Sequence, residues 1–584
     1  MKPIKYLLST TTLTTALTTA IAVTTMSPAS AKDLVRIATM PAGAEVTGLS
    51  SNADGQLFLN AQHPGGKNVL KGDAPAALVG YVHGFDAASV TGFGMAIPDK
   101  AKHGQINAAS GEYVTLAKAG EKMGSGEKVG GVYNVKGELM FVSNSPDFNG
   151  FVPLNENQAY LYTAWEGGGR EGASAVSRLS LSRADAASPW TADLAKSRNV
   201  DLAPVAGGTV LCSGIVTPWG TPLLAEEYFF YNTTTWNHPD NHDEDERAGF
   251  RGGNDINYIK PKSMNKYLGK MSNPYRYGYM IEILDPTSAD SEKPVKHFAT
   301  GRMSHETAAI MPDNKTIYMT DDDSAAYSDK KYNTASGGVL FKFVADNEGD
   351  LSAGTLYAAK LKQDDNADPQ TTGFDVSWIE LGHGENTEIE TWVAEYDGVT
   401  LADYKEGETS YLSDDDVRAW AEFKSGKDLD GDGTIASTKD ARAPFLESRR
   451  TAAAMGATNE WDKLEGVTSH EGNVYISAAA LSYTMDKSWG HKHWSSGEID
   501  KENGGDIALN AEGCGGTYVA RTGSDFNITR LEPHVVGKTL SDGSCDLSLP
   551  ANPDNILAMN DGTLLIGEDA GPKRHVLDML WMVR

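Results

Sequence analysis

A turn followed by a short apolar run returns six times along this 584-residue chain, and that repetition constrains the fold more than any other feature. The copies are Asp54-Gly55-Gln56-Leu57-Phe58-Leu59, Lys136-Gly137-Glu138-Leu139-Met140-Phe141 and Trp219-Gly220-Thr221-Pro222-Leu223-Leu224. They continue as Asp313-Asn314-Lys315-Thr316-Ile317-Tyr318, Glu471-Gly472-Asn473-Val474-Tyr475-Ile476 and Asp561-Gly562-Thr563-Leu564-Leu565-Ile566. With the glycine (or Asn314) as marker, the spacings are 82, 83, 94, 158 and 90 residues. Asp-Gly between apolar runs is hairpin chemistry. A strand–turn–strand unit at near-constant spacing is the sequence form of a propeller blade. The repeats predict an all-β chain, a six-bladed β-propeller, with the 158-residue gap absorbing an insertion.

That insertion is expected at about residues 400–460. From Ser413 to Gly456 the pattern turns helical, with Ser413 before Asp414, Asp415 and Asp416 as a capped start. Within it, Asp428, Asp430 and Asp432 fall at loop positions 1, 3 and 5 of a calcium loop, with Gly433 at 6 and Ile435 at 8. Position 12 is Lys439 rather than Glu, with Asp440 next; a solvated acidic turn is the other reading. A second insertion, at about 232–270, contains the polar stretch His238 to Asn257.

The N-terminus reads as an export signal. Lys2 and Lys5 precede an uncharged, threonine-rich stretch, and Ala29-Ser30-Ala31 supplies a small-residue cleavage site. The threonines make the segment too polar for a membrane span, and no twin arginine precedes it. Cleavage after Ala31 leaves a single propeller domain over residues 32–584, periplasmic or secreted, with no membrane insertion. The formal charge of −28 becomes −30 once Lys2 and Lys5 are lost. Such a surface repels nucleic acid, which excludes that class of partner. It also repels phosphate esters unless bound cations dominate the site. Cys514 and Cys545 are spaced so that they could pair in an oxidising compartment. Cys212 is then left as either a buried apolar residue or a metal ligand.

The repeats also place chemistry in phase. Cys212, Glu306 and Asp554 stand eight residues before their markers, and Glu465 stands seven before its own. Glu226 and Glu227, and Glu568 and Asp569, follow at offsets six and seven. The first two repeats carry no acid near the upstream position. Equivalent blade positions sit at similar depth around a central channel, so these groups converge. Clustered carboxylates need cations to offset their repulsion. Oxygen ligands alone suit calcium; a thiolate among them calls for a transition metal.

Several segments resemble the PhoX family of alkaline phosphatases. They include Cys212-Ser213-Gly214-Ile215-Val216-Thr217-Pro218-Trp219-Gly220-Thr221 with Glu226-Glu227, and Gly301-Arg302-Met303-Ser304-His305-Glu306 with Asp321-Asp322. Gly354-Thr355-Leu356-Tyr357, Leu464-Glu465-Gly466-Val467 and Asn552-Pro553-Asp554-Asn555 complete the set over roughly residues 200–584. The resemblance implies a six-bladed propeller with ferric iron and calcium joined by an oxo group, hydrolysing phosphate monoesters at alkaline pH. It makes Cys212 an iron ligand and Glu227, Glu306, Glu465 and Asp554 carboxylate ligands, with Asn555, Glu226, Glu568 and Asp569 as neighbours. The chemistry it implies is attack by a metal-bound oxo or hydroxide on phosphorus. Lys463 stands two before Glu465, where the family has arginine, and is the phosphate-orienting candidate. Arg302 is a second candidate; its other reading is a salt bridge inside a blade. Two further readings remain: a calcium-dependent lactonase or esterase propeller, and a non-catalytic, calcium-stabilised binding propeller.

Overall fold

The computed structural model describes residues 33–584 except 168–171, 228–232, 243–260, 289, 323–336, 439 and 489–504. The export signal and Lys439 lie outside the described residues.

The chain is mostly β, built from antiparallel units whose strands follow one another in sequence. The first unit comprises Glu45–Ser51, Leu57–Gln62, Leu78–His83 and Glu112–Lys118. The second comprises Pro146–Asn155, Gln158–Trp165 and Ala175–Ser182 with short edge strands. The third comprises Leu211–Val216, Pro222–Glu226, Met280–Leu284 and Lys293–His297. The fourth comprises His305–Ile310, Thr316–Asp321, Leu340–Asn347 and Asp350–Gln363. The fifth comprises Leu464–His470, Asn473–Ala478, Gly516–Arg521 and Arg530–Val536. The strand Phe374–Glu385 pairs with the outer strands of both, fusing them into a nine-stranded sheet. The last unit takes Pro553–Ala558, Leu564–Glu568 and Met579–Val583, then Leu34–Thr39, with Leu34 opposite Val583. Sewing both ends of the described chain into one sheet closes the arrangement and protects its edges.

Apolar side chains fill the space between successive units. Phe58 and Tyr81 meet Leu161 and Leu179; Phe148 and Tyr162 meet Leu224 and Ile281; Leu223 meets Ile317 and Met319. Tyr318 and Leu361 meet Val474 and Ile476; Tyr475 meets Leu564 and Ile566; Leu565 and Met582 meet Val46 and Leu59. The first strands touch in the same order, and the last touches the first. This is a propeller-like ring in which every unit is held by burial against two neighbours.

Five of the repeated turns join the first and second strands of a unit. Asp561 and Asp313 close theirs by accepting backbone N–H groups two residues on, at 3.0 Å each. The marker itself sits in left-handed backbone: φ is 84° at Gly562 and 52° at Asn314. The sixth expected repeat is corrected. Lys136-Gly137 turns a separate two-stranded hairpin, Gly131–Tyr133 with Leu139–Val142. The second unit turns instead at Asn155-Glu156-Asn157, where Asn155 accepts the Asn157 N–H at 3.0 Å without a glycine.

The long gap holds helices Asn386–Ala394, Asp414–Ser425, Ala443–Leu446 and Ser448–Ala454. Ser413 caps the second through a capping box with Asp416. Helical structure therefore starts at Asn386, ahead of the expected Ser413. The earlier insertion shows short turns at Thr233–Thr235 and Pro239–His242 and the helix Pro261–Leu268. Cys514 and Cys545 form a disulfide. No helix among the described residues is long and apolar enough to cross a membrane.

Candidate metal centre

The first strand of every unit is broken by a β-bulge at the same register. The ladder skips between Thr47 and Ser50, Leu211 and Gly214, His305 and Ala308, Leu464 and Val467, and Pro553 and Ile556. In the second unit the skip lies between Pro146 and Asn149. A bulge turns an extra side chain out of the ladder. The residues so placed are Gly48, Asp147, Cys212, Glu306, Glu465 and Asp554. Five of the six are acids or a thiol. The second strand then ends beside them, adding Glu166, Glu227, Asp322 and Asp569 at the matching position.

Gly48 is the exception for a steric reason. Its φ is 63°, and a Cβ there would lie 2.3 Å from Asn60 Nδ2 and 2.6 Å from the Asp147 carbonyl oxygen. Asn60 fills that space, accepting a hydrogen bond from Asn149 at 2.7 Å. We expect Gly48→Ala to displace Asp147 and to lower both the melting temperature and activity; an unchanged melting curve and turnover would contradict this. The first unit reaches the centre by another route, through Glu45 and His63.

These side chains converge. Cys212 Sγ lies 3.4 Å from Asp147 Oδ2 and 3.2 Å from Glu306 Oε1. Donor atoms fall within 4.8 Å of one another in four overlapping groups: Asp147, Glu166 and Cys212; Cys212, Glu227 and Glu306; Glu306, Glu465 and Asp554; and Glu45, Asp554 and Asp569. Asn555 donates to Asp147 at 3.3 Å and to Asp554 at 3.4 Å. Gln62 donates to both Glu45 and Glu166, at 3.1 and 3.2 Å. Among the described residues, Lys463 and His63 border the group as cations. Lys463 Nζ lies 2.7 Å from Glu465 and 3.6 Å from Asp322 with its side chain 34% exposed. His63 Nε2 lies 2.6 Å from Glu45.

Electrostatics show how far this cluster is from balance. Burial, then the neighbouring charges, raise Asp147 to about 6, Asp569 to about 7 and Glu465 to about 8. The same causes push Glu166, Glu227, Glu306, Asp554 and the Cys212 thiol well above their usual values. Burial opposes a charge on His63, but Glu45 beside it lifts it to about 10. Both carboxylate oxygens of buried Asp322 lack a hydrogen-bond partner. Orphaned buried oxygens among crowded acids fit bound cations: the carboxylates suit calcium, and the thiol suits a transition metal.

The structure therefore gathers Cys212, Glu227, Glu306, Glu465, Asp554, Asn555, Asp569 and Lys463 into one place. It adds Asp147, Glu166, Asp322, Glu45 and His63, which the sequence reading missed. Asp147 corrects the expectation that the second unit carries no upstream acid.

Three expected members are engaged elsewhere. Glu226 is fully buried, 3.0 Å from Lys296 Nζ, and accepts three backbone N–H groups. Glu568 accepts from Trp581 Nε1 at 2.6 Å, from two backbone N–H groups, and pairs with His575. Their oxygens are satisfied by the framework. Arg302 donates to the carbonyls of Tyr277 and Leu446 and lies over the Tyr275 ring, so it braces the core rather than the cluster.

In the acidic loop, Asp428 accepts from the N–H groups of Gly431 and Gly433, Asp430 from Asp432, and Asp432 from Thr434. Asp440 is held by Arg442 at 2.9 Å. The acid that approaches Asp428 and Asp430 within 4.8 Å is Glu422, from the preceding helix.

The sequence profile of the alkaline phosphatase PhoX family matches residues 184–581, about two thirds of the chain. The chain belongs to the PhoX family. As a PhoX protein it is a phosphoric ester hydrolase. The match spans the third to the last unit and so includes Cys212, Glu227, Glu306, Glu465 and Asp554. Among solved structures, it is similar to Pseudomonas fluorescens PhoX in complex with vanadate, a transition state analogue. Identity there is 16%, covering 92% of this chain and 84% of that one, with a TM-score of 0.48. A Trichoderma reesei carbohydrate-active enzyme of family AA12 is similar at 8% identity, covering 95% and 96%, with a TM-score of 0.37. A putative 6-phosphogluconolactonase from Bacteroides fragilis follows at 9%, covering 88% and 89%, with a TM-score of 0.26. No curated protein matches the chain.

Proposed function

We propose that this PhoX protein hydrolyses phosphate monoesters at alkaline pH, at a mixed iron and calcium centre on the axis of a six-bladed β-propeller, after export and cleavage behind Ala31. The observation that carries the reading is the bulge repeated in one register, which brings a thiol and four carboxylates to one point.

Cys212, with Glu227 and Glu306 on one side and Asp147 and Glu166 on the other, would hold iron, because these two groups share the sulfur. Glu465, Asp554, Asp569 and Glu45 offer oxygen alone and would hold calcium. When bound, the cations supply Lewis acidity and neutralise the charge that develops on a phosphoryl group. The chain's own part is orientation. Lys463 is the cation at the rim with part of its side chain exposed, and Nζ can turn from Glu465 toward a phosphate oxygen. Asn555 fixes Asp147 and Asp554 relative to each other. Asp428, Asp430 and Asp432, with Glu422, would hold a separate structural calcium.

The test is turnover of p-nitrophenyl phosphate, bis-p-nitrophenyl phosphate and a simple lactone. The monoester should be preferred, and Lys463→Ala should raise KM by roughly 10-fold or more, the value of one hydrogen bond to a charged group. Lys463→Arg should retain binding. Preference for the lactone, or a KM indifferent to Lys463→Ala, would count against the proposal.

A further inference from the structure

In three units the residue just before the cluster acid is itself a buried acid, and all three are handled alike. Glu226 accepts from the Thr209 N–H at 3.0 Å, from the Tyr279 N–H at 3.0 Å, and pairs with Lys296. Asp321 accepts from the Ser304 N–H at 2.8 Å, from the Val339 N–H at 3.2 Å, and from Arg449 Nε at 2.8 Å. Glu568 accepts from the Ala551 N–H at 2.9 Å, from the Met579 N–H at 3.0 Å, and pairs with His575.

The pattern is geometric. In each case one N–H lies two or three residues before the bulged ligand, and another lies at the start of the third strand. A single carboxylate thus ties three strands at the end where Cys212, Glu306 or Asp554 leaves the ladder. The same peptide continues into Glu227, Asp322 or Asp569. A buried ion pair adds little net stability compared with apolar packing, so its use under Glu226 and Asp321, with a buried imidazole under Glu568, needs another reason.

We propose that Glu226, Asp321 and Glu568, each with its buried partner Lys296, Arg449 or His575, are positioning residues: clips that set the spacing of the cluster's donors without binding the cations. The inference rests on the cluster being the reactive centre. The Asp321 clip is the most telling, because Arg449 comes from the helix Ser448–Ala454 of the long insertion. Ser448 in that helix also accepts the Arg302 N–H at 2.7 Å. The insertion therefore braces the centre from outside the ring.

The experiment compares Asp321→Asn, Arg449→Met and Arg449→Lys with Arg178→Met. Arg178 of the second unit forms a similarly buried pair at 2.8 Å with Glu292, which precedes the last strand of the third, away from the cluster. Three quantities are read below the melting temperature: alkylation of Cys212 by iodoacetamide in the chelated protein, calcium and iron retained after dialysis, and kcat against KM. Asp321→Asn and Arg449→Met should expose Cys212 at least ~10-fold faster and weaken metal retention by ~10- to 100-fold, as loss of an outer support does. They should lower kcat more than they raise KM. Arg449→Lys should recover part of each effect, and Arg178→Met should change only the melting temperature. If the clip variants behave like Arg178→Met, with Cys212 equally protected, the proposal is overturned. Should Arg449→Met not fold, Asp321→Asn decides, and wild-type protection in it refutes the clip. A wild-type protein that holds no metal and cleaves no phosphate ester would defeat the proposed function, while the thiol comparison still judges the clips.

Discussion

Cys212→Ala is expected to lower kcat for p-nitrophenyl phosphate by roughly 10³-fold or more, equivalent to ~4 kcal/mol of barrier. The thiol stands between Asp147 and Glu306 at 3.4 and 3.2 Å and belongs to two of the four donor groups. It is the one cysteine outside the disulfide. Removing it takes away the only soft donor, so iron should fall with activity while calcium is largely kept. Cys212→Ser separates the roles, since a hydroxyl preserves volume but not sulfur chemistry. Elemental analysis alongside steady-state kinetics reads both quantities. Full activity and unchanged iron in Cys212→Ala would reduce the residue to a packed apolar group.

Removing the metals should make stability fall steeply with pH. Burial and mutual repulsion raise Asp147 to about 6, Asp569 to about 7 and Glu465 to about 8, and others further. A carboxyl whose folded value exceeds its unfolded value binds protons more tightly when folded. Its contribution is fully present below the unfolded value near 4 and is lost as pH rises through the folded value. Each unit of difference is worth about 1.4 kcal/mol. The chelated protein should therefore melt at progressively lower temperature from pH 5 to pH 9. His63, held protonated to about 10, does not change the sign within that window. Calcium added back replaces protons as the neutralising charge, so the loaded protein should show a nearly flat profile. Differential scanning calorimetry with and without chelator checks this. Parallel profiles would mean that cations do not balance the cluster.

Much of the fold was legible because its signals are local. Alternating apolar strands and Asx-closed turns recur whatever the tertiary context, and they located five of the six repeated hairpins. The second unit was misplaced because Asn155 closes its turn without a glycine, while Gly137 marks an accessory hairpin. That slip hid Asp147 and Glu166, whose offsets can be counted only from the true turn. Asp322 escapes the repeat phase because its turn is one residue longer than its equivalents, although Asp321-Asp322 belongs to a family-like motif. Glu226 and Glu568 looked like ligands because adjacent acids share a repeat phase. Sequence cannot show that along a strand end one of each pair faces the framework and the other the axis. Counterions such as Lys296 and Arg449 come from other strands or from the insertion, so long-range packing alone assigns them.

Crystals of the metal-loaded protein, measured at the iron absorption edge, show directly which side chains hold iron. An iron anomalous peak at Cys212 Sγ and Glu306 is expected, with calcium density among Glu465, Asp554 and Asp569. An iron-free centre with Cys212 packed against its neighbours would contradict the mixed iron and calcium centre.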